Sequence, residues 1–394
     1  MTRFDDNYSL FLREFSYPRK LRNYETSVSP DAIVFRDKNR LIDFSSNDYL
    51  GLAKHPLLIN RSYEFAKRWG AGSSSSRLVR GNLNIYEQIE TQLANALGKP
   101  AALIIGTGFQ ANASVISALL DTSVLKSEPL IFMDKACHAS MYSGISSQKN
   151  LLRFHHNDLN HLRQLIEKHH SSSQPKFILA ESIYSMEGDS ANLKELTEIA
   201  QANHATLYID DAHAVGLYGT NGWGKAADLS HQVDIIMGTF SKALGSFGAY
   251  IACSATAKEY LVHRCKGFIY STALPPAILG SISAAIELVP QLHDSRLRVL
   301  KYADEVRQFM SKLGLNYGGS NSHIIPWIIG SAEKTRLAAQ LLEQEGILGT
   351  AIQAPTVAPN KNRIRFCISA LHQPSDFELL FNSLSKISKT LYKF

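Results

Sequence analysis

Six short runs of almost unbroken apolar residues constrain the fold more than any other feature of this chain. A strand with one solvated face alternates apolar and polar residues, and these runs do not alternate. They therefore predict strands that are buried on both faces of a mainly parallel sheet. The segments between them, such as Asn192 to His204, have helical periodicity, so we expect an α/β fold with crossover helices on both faces. The runs are Ala101 to Ile105, Leu130 to Met133, Phe177 to Ala180, Leu207 to Ile209, Val233 to Met237 and Tyr250 to Cys253.

A second region with a different pattern begins near Ala285. A single core stops growing at about 250–300 residues, and the chain has 394. We expect an N-terminal segment over 1–50, a large domain over 51–284 and a smaller α+β domain over 285–394. The elements expected in the last of these are a helix with an apolar stripe from Val299 to Leu313, strands over Ile324 to Ile329 and Ile364 to Ile368, a helix over Lys334 to Glu345 closed by Gly346, and a final helix capped at Ser375.

The composition is that of an ordinary soluble protein and argues against several classes of function. Hydrophobic residues make up 45% and charged residues 19% of the chain, and the formal net charge is +6. Basic and aromatic residues are not interleaved as in a nucleic-acid groove. No run of about 18 apolar residues predicts a membrane span, and residues 1–14 lack the apolar stretch of a signal peptide. The four cysteines show no paired metal spacing, so we expect reduced thiols, no metal and a cytoplasmic protein.

Polar and reactive residues cluster directly after the apolar runs. In open α/β sheets, ligands bind outside the carboxyl ends of the strands. Clusters after five of the runs should therefore converge on one site. They are Gly106-Thr107-Gly108-Phe109 after the first run, Asp134 and His138 after the second, Glu181 and Ser185 after the third, Asp210 and His213 after the fourth, and Thr239 and Lys242 after the fifth.

Lys242 is the most informative of these residues, because it lies between two apolar runs. A desolvated amine has a lowered pKa and can attack a carbonyl group. Asp210 and His213 lie upstream at another strand end. A lysine that bonds to an aldehyde and a carboxylate that keeps a pyridine nitrogen protonated are the parts that a pyridoxal phosphate site needs. Taken alone, Lys242 would be an ordinary surface lysine.

The glycine-rich turn at Gly106 to Asn112 runs from a strand into a helix. Such a turn can present its backbone N–H groups to an anion. The alternative is a tight turn that serves the fold and binds no ligand, which the same residues would also form. Together with the hydroxyl groups of Thr239, Ser271 and Thr272, the turn predicts a phosphate-binding site.

Two further residue sets have open interpretations. His138 could stack on a planar cofactor, act in acid–base steps or be a satisfied buried histidine. A metal held by Asp210, His213 and His138 is disfavoured, because no second spaced pair completes a shell. Arg363 and Arg365 share one face of a strand, where they could face solvent or bind a substrate carboxylate.

Ordered motifs along the chain resemble those of the α-oxoamine synthase family, which belongs to the fold type I group of pyridoxal phosphate enzymes. The resemblance covers roughly Leu21 to Leu391. Its motifs are Ser45 to Leu52 (SSNDYLGL), Ser76 to Val79 (SRLV) with Gly81, Gly108-Phe109 with Ala111-Asn112, His155 to Asp158 (HHND), Glu181 to Asp189 (ESIYSMEGD), Asp210 to Gly216 (DDAHAVG) and Thr239 to Lys242 (TFSK).

The resemblance implies a role for each matching position. The cofactor would be held covalently by Lys242, at its pyridine nitrogen by Asp210, at its phenolic oxygen by His213, on its ring face by His138, at its phenolic edge by Ser185, and at its phosphate by Gly108, Phe109 and Thr239. Ser271 and Thr272 would reach the phosphate from the partner subunit of a homodimer whose active site lies at the interface. Asn47 would position the lysine or the substrate, Arg365 would bind the amino acid carboxylate, and Arg22 would be a second substrate-binding arginine.

The resemblance also implies a reaction, the decarboxylative condensation of an amino acid with an acyl thioester. The chain is most similar to members of the biotin pathway, for which the substrates would be L-alanine and a pimeloyl group on CoA or an acyl carrier protein. Those members usually have the sequence Ile-Arg-Pro-Pro-Thr-Val-Pro at the positions that correspond to Ile352 to Ala358. This chain has Gln353 in place of the arginine and Ala354 in place of the first proline. The missing arginine puts the acyl substrate in question, and makes Gln353 a candidate substrate-binding residue.

Two alternatives remain open at this point. The first is a sibling activity, that of a glycine C-acetyltransferase, a 5-aminolevulinate synthase or a serine palmitoyltransferase. The second is a non-catalytic subunit or regulator on the same fold. The presence of both Lys242 and Asp210 argues against the second alternative.

Overall fold

The computed structural model describes residues 3–14, 21–145 and 148–392. The strands are β1 (Glu25–Thr26), β2 (Ile33–Arg36), β3 (Asn39–Asp43), β4 (Ala101–Ile105), β5 (Leu130–Asp134), β6 (Leu151–Phe154), β7 (Lys176–Glu181), β8 (Ala205–Asp210), β9 (Ile235–Thr239), β10 (Ala249–Cys253), β11 (Ile324–Gly330), β12 (Ile347–Leu348), β13 (Thr350–Ile352) and β14 (Asn362–Cys367). The helices are α1 (Arg3–Glu14), α2 (Pro56–Trp69), α3 (Ile85–Ala96), α4 (Gly108–Leu119), α5 (Thr122–Leu125), α6 (Ala139–Gly144), α7 (Leu159–Glu167), α8 (Leu193–Ala202), α9 (Ala255–Arg264), α10 (Lys266–Ile269), α11 (Pro276–Leu288), α12 (His293–Lys312), α13 (Ala332–Gln344) and α14 (Pro374–Tyr392).

A seven-stranded sheet with the order β4-β10-β9-β8-β7-β5-β6 forms the centre of the fold. β10 runs antiparallel to β9 and β4, and every pair from β9 to β6 is parallel. The predicted α/β fold with a mainly parallel sheet is confirmed. Each of the six apolar runs contains a strand whose ends lie within two residues of the prediction. The sequence did not predict β6, because this edge strand is only partly buried and includes the exposed Arg153.

Burial explains why these strands have no polar alternation. Every residue of β4, β5, β9 and β10 is buried. α4 packs against β4, β9 and β10, α8 packs against β8, and α7 packs against β5 and β6. Fully burying an aliphatic or aromatic side chain contributes about 1.5–3 kcal/mol, and Ile131, Phe132 and Ile178 are fully buried. The sheet and its helices therefore form the main hydrophobic core.

Four parallel strands place a polar residue at the same edge of the sheet. β5 ends at Asp134, β7 at Glu181, β8 at Asp210 and β9 at Thr239. All four side chains are buried. Because burial of a polar group is unfavourable without a partner, this edge is where the fold concentrates its polar interactions.

The two smaller sheets bring the ends of the chain together. β1, β2 and β3 form an antiparallel meander, and β3 pairs in parallel with β12. The third sheet is antiparallel and has the order β11-β14-β13. The N-terminal segment thus shares a sheet with a strand from the C-terminal part of the chain. The division at residues 50 and 284 stays a prediction.

The predicted helices of the C-terminal region are present, with one correction. α12 contains the predicted apolar stripe, and Val299, Ala303, Val306 and Met310 are fully buried. The predicted cap at Ser375 is wrong, because α14 begins at Pro374 and the backbone N–H of Gln373 donates to Asp376 Oδ2 at 2.8 Å. In the part of the chain that the structure describes, no helix combines the length and apolar character needed to cross a membrane.

His372 connects the N-terminal segment to the C-terminal region. Its ring stacks on Phe44 with a centroid distance of 4.1 Å. Nδ1 accepts from the backbone N–H of Ser369 at 3.0 Å, and Nε2 donates to the carbonyl of Asp43 at 3.1 Å. Burial lowers the pKa of His372 to about 4, so the ring is neutral in the folded protein at neutral pH.

This histidine should make folding stability depend on pH. Below the ordinary pKa of 6.5, the unfolded chain binds a proton at His372 that the folded chain does not. The contribution to stability is therefore present above pH 6.5 and is lost as the pH falls towards 4, by about 3 kcal/mol in total. His372→Gln keeps a donor and an acceptor but does not titrate in this range. We expect urea unfolding of this variant to show a flatter decline in stability between pH 6.5 and 4, and equal slopes for variant and parent would contradict the assignment.

Candidate active site

A cavity of about 740 Å³ lies at the carboxyl edge of the central sheet. Its volume is within the range of about 300–1,000 Å³ that ligand pockets occupy. It is bordered by the ends of the parallel strands, the first turn of α4, the segment after β3 and strand β14. The polar residues that line it include Asn47, Thr107, His138, Glu181, Ser185, Asp210, His213, Thr239, Ser241, Lys242, Thr356 and Arg365. Among the described residues, no group of three or more His, Cys, Asp or Glu side chains could hold a metal ion.

Lys242 enters this cavity from the turn that follows β9. The turn closes through a hydrogen bond of 2.9 Å from the Gly245 N–H to the Lys242 carbonyl. Gly245 has φ of +62°, and a Cβ there would lie 2.4 Å from the Ala53 nitrogen, so only glycine fits. Burial lowers the pKa of the Lys242 amine to about 8. About a tenth of this amine is therefore uncharged at pH 7, far more than for an ordinary lysine, and able to act as a nucleophile or a base.

His213 links the lysine to Tyr49. Lys242 Nζ lies 3.0 Å from His213 Nε2, and His213 Nδ1 lies 2.7 Å from the Tyr49 hydroxyl. The Tyr49 hydroxyl in turn donates to Asn47 Oδ1 at 3.0 Å. Burial, and secondarily the Lys242 charge, hold the pKa of His213 well below its usual range. A neutral ring protonated at Nδ1 satisfies all three contacts, because Nε2 then accepts from the lysine.

Asp210 is held in place by two N–H donors. Its Oδ2 accepts from Asn112 Nδ2 at 2.7 Å, and its Oδ1 accepts from the backbone of Ala212 at 2.9 Å. Asn112 is itself fixed, because its Oδ1 accepts from the Tyr208 hydroxyl at 2.7 Å and its Nδ2 also donates to Ser140 at 2.9 Å. Sequence reasoning gave Asn112 no role. The signal was present, since an amide on the apolar face of α4 needs a buried partner.

His138 is the N-cap residue of helix α6 and borders the cavity. Its Nδ1 lies 2.7 Å from the Ser140 hydroxyl, and its backbone N–H donates to Glu181 Oε1 at 2.5 Å. Burial lowers the pKa of His138, which favours a neutral planar ring. Burial and the nearby Asp210 charge raise the pKa of Glu181 well above its usual range. This environment therefore favours the protonated form of Glu181, which sequence reasoning placed at the strand end without a role.

The start of α4 and the end of β9 form the part of the cavity that offers N–H and O–H donors to an anion. Thr107 caps α4 by accepting from the Gln110 N–H at 3.1 Å, and helix geometry leaves the first N–H groups, including those of Gly108 and Phe109, without partners in the helix. The Thr239 and Ser241 hydroxyl oxygens lie 2.7 Å apart and also line the cavity. Ser241 is a second residue whose role sequence reasoning missed.

Ser271 and Thr272 do not line this cavity in the single chain. Ser271 Oγ accepts from Gln110 Nε2 at 2.5 Å, and Thr272 forms an isolated bridge with Ser76. Both residues border a small neighbouring pocket beside the start of α4. Their predicted contact with a phosphate of the partner subunit stays a prediction.

Arg365 lies between the cavity and the segment that carries Ser185. Its Nε donates to the Ser185 carbonyl at 2.7 Å and its Nη1 to Asn47 Oδ1 at 3.2 Å. Arg363 lies on the same face of β14 and is also buried, where it donates to the Met186 carbonyl at 2.8 Å and pairs with Glu187 at 3.1 Å. Of the two arginines, Arg365 borders the cavity.

Two residues predicted to bind substrate lie outside the cavity wall. Gln353 donates from Nε2 to the carbonyl of Ala332 at 2.9 Å. Arg22 is exposed before β1. The neighbours Pro355 and Thr356 do border the cavity, so the segment that departs from the usual motif contributes to the site through these two residues.

The side chains at this cavity match the chemical needs of pyridoxal phosphate. Lys242 offers an amine for the aldehyde, and Asp210 offers a buried carboxylate for the ring nitrogen. His138 offers a planar ring, and the start of α4 with Thr239 offers N–H and O–H donors for a phosphate. The cavity and its residues therefore fit this cofactor.

Comparison with known proteins agrees with this arrangement. Residues 39–384 match the family described as aminotransferase class I and II. A Magnetococcus marinus protein provisionally named 8-amino-7-oxononanoate synthase is 46% identical over 352 residues, which cover 89% of each chain. A Gluconacetobacter diazotrophicus protein named 8-amino-7-oxononanoate synthase is 43% identical over 394 residues, which cover 99% of this chain and 98% of that one.

The fold is also shared with a solved structure of serine palmitoyltransferase from S. paucimobilis. The TM-score is 0.90 over 99% of this chain and 98% of that chain, at 23% sequence identity. That likeness shows a common fold. The family match and the relatives that are 43% and 46% identical establish that the chain belongs to the aminotransferase class I and II family and, within it, to the pyridoxal phosphate-dependent acyltransferases of the α-oxoamine synthase type.

Proposed function

We propose that this protein condenses L-alanine with a pimeloyl thioester to form 8-amino-7-oxononanoate, CO2 and a free thiol, a step of biotin synthesis. The observation that carries the proposal is one cavity that holds an amine with a pKa of about 8, a buried carboxylate and a buried guanidinium, on Lys242, Asp210 and Arg365. The names of relatives that are 43% and 46% identical over most of the chain support the choice of substrates.

Each residue has a task that follows from its position. Bound pyridoxal phosphate supplies an electron sink for the charge that develops at the α-carbon of the amino acid. Asp210 holds the proton on the ring nitrogen, and Lys242 removes the α-proton. A base with a pKa near the working pH is efficient in such a transfer. His213 orients the lysine amine, and Arg365 receives the carboxylate of the amino acid through a charge-assisted hydrogen bond.

The proposal includes a homodimer with the site at its interface. Apolar side chains are exposed on the two segments that Ser76 and Thr272 bridge, where Val79 is 81% and Tyr270 is 80% exposed. Phe109 is also exposed at the rim of the cavity. A second copy that covers this face would remove these side chains from water and would bring its own Ser271 and Thr272 towards the cavity.

A second candidate is a sibling enzyme that uses an acyl group without a terminal charge, as the name serine palmitoyltransferase suggests for one structural relative. One observation favours it. Among the described residues that line the cavity, the lysine and arginine side chains are Lys242 and Arg365, and both have other tasks. A distal carboxylate on the acyl chain would therefore lack a dedicated cation among the described lining residues.

Replacing the lysine tests the covalent attachment. We expect Lys242→Ala to bind pyridoxal phosphate without a covalent bond and to lose at least about 100-fold in kcat, since general-base catalysis contributes that much. The measurement is mass spectrometry of the intact chain after borohydride reduction. Lys225→Ala is the matched control, because Lys225 is a partly buried lysine outside the cavity. Cofactor mass still fixed to the Lys242→Ala chain would refute the assignment.

Replacing the cavity arginine tests the binding of the amino acid. A charge-assisted hydrogen bond contributes about 1.5–3 kcal/mol, so Arg365→Ala should raise the KM for L-alanine roughly 10- to 150-fold. The KM for the thioester should change much less. Arg363→Ala, two residues along the same buried face, serves as the control for the loss of a buried guanidinium and should raise the KM for L-alanine much less, because Arg363 does not border the cavity. An equal rise of the KM for L-alanine in Arg365→Ala and Arg363→Ala would show that Arg365 has only a structural role.

The last experiment of this group distinguishes the two acyl classes. Because the described residues that line the cavity offer no lysine or arginine beyond Lys242 and Arg365, we expect a pimeloyl thioester with a methyl ester at its far end to have a higher kcat/KM than the free acid. Gln353→Ala should leave this ratio unchanged, because the Gln353 side chain contacts Ala332. The assay compares both thioesters on both proteins. A parent protein that prefers the free acid by about tenfold, or roughly 1.4 kcal/mol, would show that a cation reaches the acyl end from elsewhere.

A further inference from the structure

His156 lies between two carboxylates at the far side of the cavity wall. Its Nδ1 is 3.1 Å from Asp134 Oδ1, and its Nε2 is 2.9 Å from Asp189 Oδ2. Asn157 reinforces the same link, because its backbone N–H donates to Asp134 Oδ2 and its Nδ2 donates to Asp189 Oδ2, each at 2.8 Å. The ring edge of Tyr184 packs on the imidazole with a centroid distance of 4.4 Å.

The imidazole is a cation in this setting. Burial disfavours its charged form, but hydrogen bonds to Asp134 and Asp189 outweigh that penalty and raise the pKa of His156 to about 10. The Asp134 side chain is fully buried and that of Asp189 is 16% exposed. Two carboxylates that contact the same imidazole would repel one another in a partly buried site. Asn157 is a neutral donor to both, so the positive ring is the group that offsets their repulsion.

The first carboxylate anchors the wall that carries His138. Asp134 ends β5 and accepts from the backbone N–H of Ala136 at 2.8 Å. The segment from Lys135 to His138 then runs along the cavity, where Ala136 and His138 line it. The position of Asp134 therefore sets the position of the His138 ring.

The second carboxylate anchors the opposite wall, a loop over residues 183–190. The root of this loop is closed by the bridge between Ile183 and Ser190 and by a hydrogen bond of 3.0 Å from the Tyr184 N–H to the Asp189 carbonyl. Its tip places Ser185 and Met186 in the cavity. Arg365 and Arg363 hold the carbonyls of the tip, whereas His156 holds the root.

We propose that His156 is a positioning residue that sets the distance between the His138 wall and the Ser185 wall by bridging Asp134 and Asp189. This role rests on one part of the proposed function, namely that cofactor and substrate bind in the cavity between these two walls. Without the cation, the two carboxylates repel and the walls separate. A misplacement of about 1 Å in a site can cost on the order of 100-fold in rate.

The test uses four variants of the full-length protein: His156→Gln, Asp189→Asn, the double variant, and His155→Gln. His155 is the matched control, because this exposed neighbour contacts His161 and Lys135 and neither carboxylate. The Kd of the apoprotein for pyridoxal phosphate is measured by absorbance titration, kcat and KM by enzyme assay, and Tm by thermal unfolding.

We expect His156→Gln to raise the Kd for pyridoxal phosphate and lower kcat/KM by about 10- to 100-fold. The double variant, in which an amide replaces one carboxylate, should recover to within about threefold of the parent, because the repulsion is gone. His155→Gln should match the parent. A purely structural role would lower the Tm of the double variant at least as far as that of His156→Gln.

Several results would overturn the bridge. They are a Kd and kcat/KM within about twofold of the parent in His156→Gln, a double variant no better than His156→Gln, and an equal loss in His155→Gln. Where His156→Gln does not fold, the double variant decides. Because it lacks one of the two repelling carboxylates, the bridge requires it to fold and to bind pyridoxal phosphate within about threefold of the parent, and a double variant that also fails to fold refutes the bridge. A parent that binds pyridoxal phosphate but does not condense L-alanine would refute the proposed function alone, because the Kd comparison still tests the bridge.

Discussion

A strand that is buried on both faces can carry polar side chains only where it ends. This constraint determines where the site of this protein lies. β5, β7, β8 and β9 are parallel neighbours with buried interiors, and they end at Asp134, Glu181, Asp210 and Thr239 along one edge. The edge gains the start of α4, whose N–H groups and dipole favour an anion. The donors for an anion at the start of α4 and the carboxyl groups at the strand ends therefore lie at the same edge of one sheet.

The electrostatics of the site follow from the cost of burying charge. Transfer of an ionised group out of water is unfavourable unless the group is paired, so buried groups shift towards their neutral forms. Burial lowers the pKa values of Lys242, His138 and His213, and raises that of Glu181. The result is a neutral imidazole that accepts from the lysine and an amine ready to give or take a proton near neutral pH.

The sequence predicted much of the fold and part of the site. Strands such as β4 and β10 were predictable, because strands buried on both faces consist of consecutive apolar residues. The edge strand β6 and the two-residue strand β1 are less buried and depend on their pairing partners, so their sequences carry no such pattern. Lys242, Asp210 and His213 lie together in the structure as their motifs suggested. The contact of Gln353 with Ala332 could not be predicted, because it joins the segment after β13 to the first residue of α13 through a single hydrogen bond.

Hydrogen bonds also connect groups that sequence reasoning treated separately. Arg365 Nη2 donates to the Tyr49 hydroxyl at 3.5 Å, Tyr49 contacts His213 Nδ1 at 2.7 Å, and His213 Nε2 contacts Lys242 Nζ at 3.0 Å. The guanidinium proposed to receive the substrate carboxylate is thus joined through two side chains to the amine proposed to act on the α-carbon. Because Arg365 also holds the Ser185 carbonyl, a shift of this arginine would move the amine and the loop together. The geometry around the reacting carbon therefore depends on a network of neutral and charged groups. His156 belongs to this network, because it holds the root of the loop over residues 183–190.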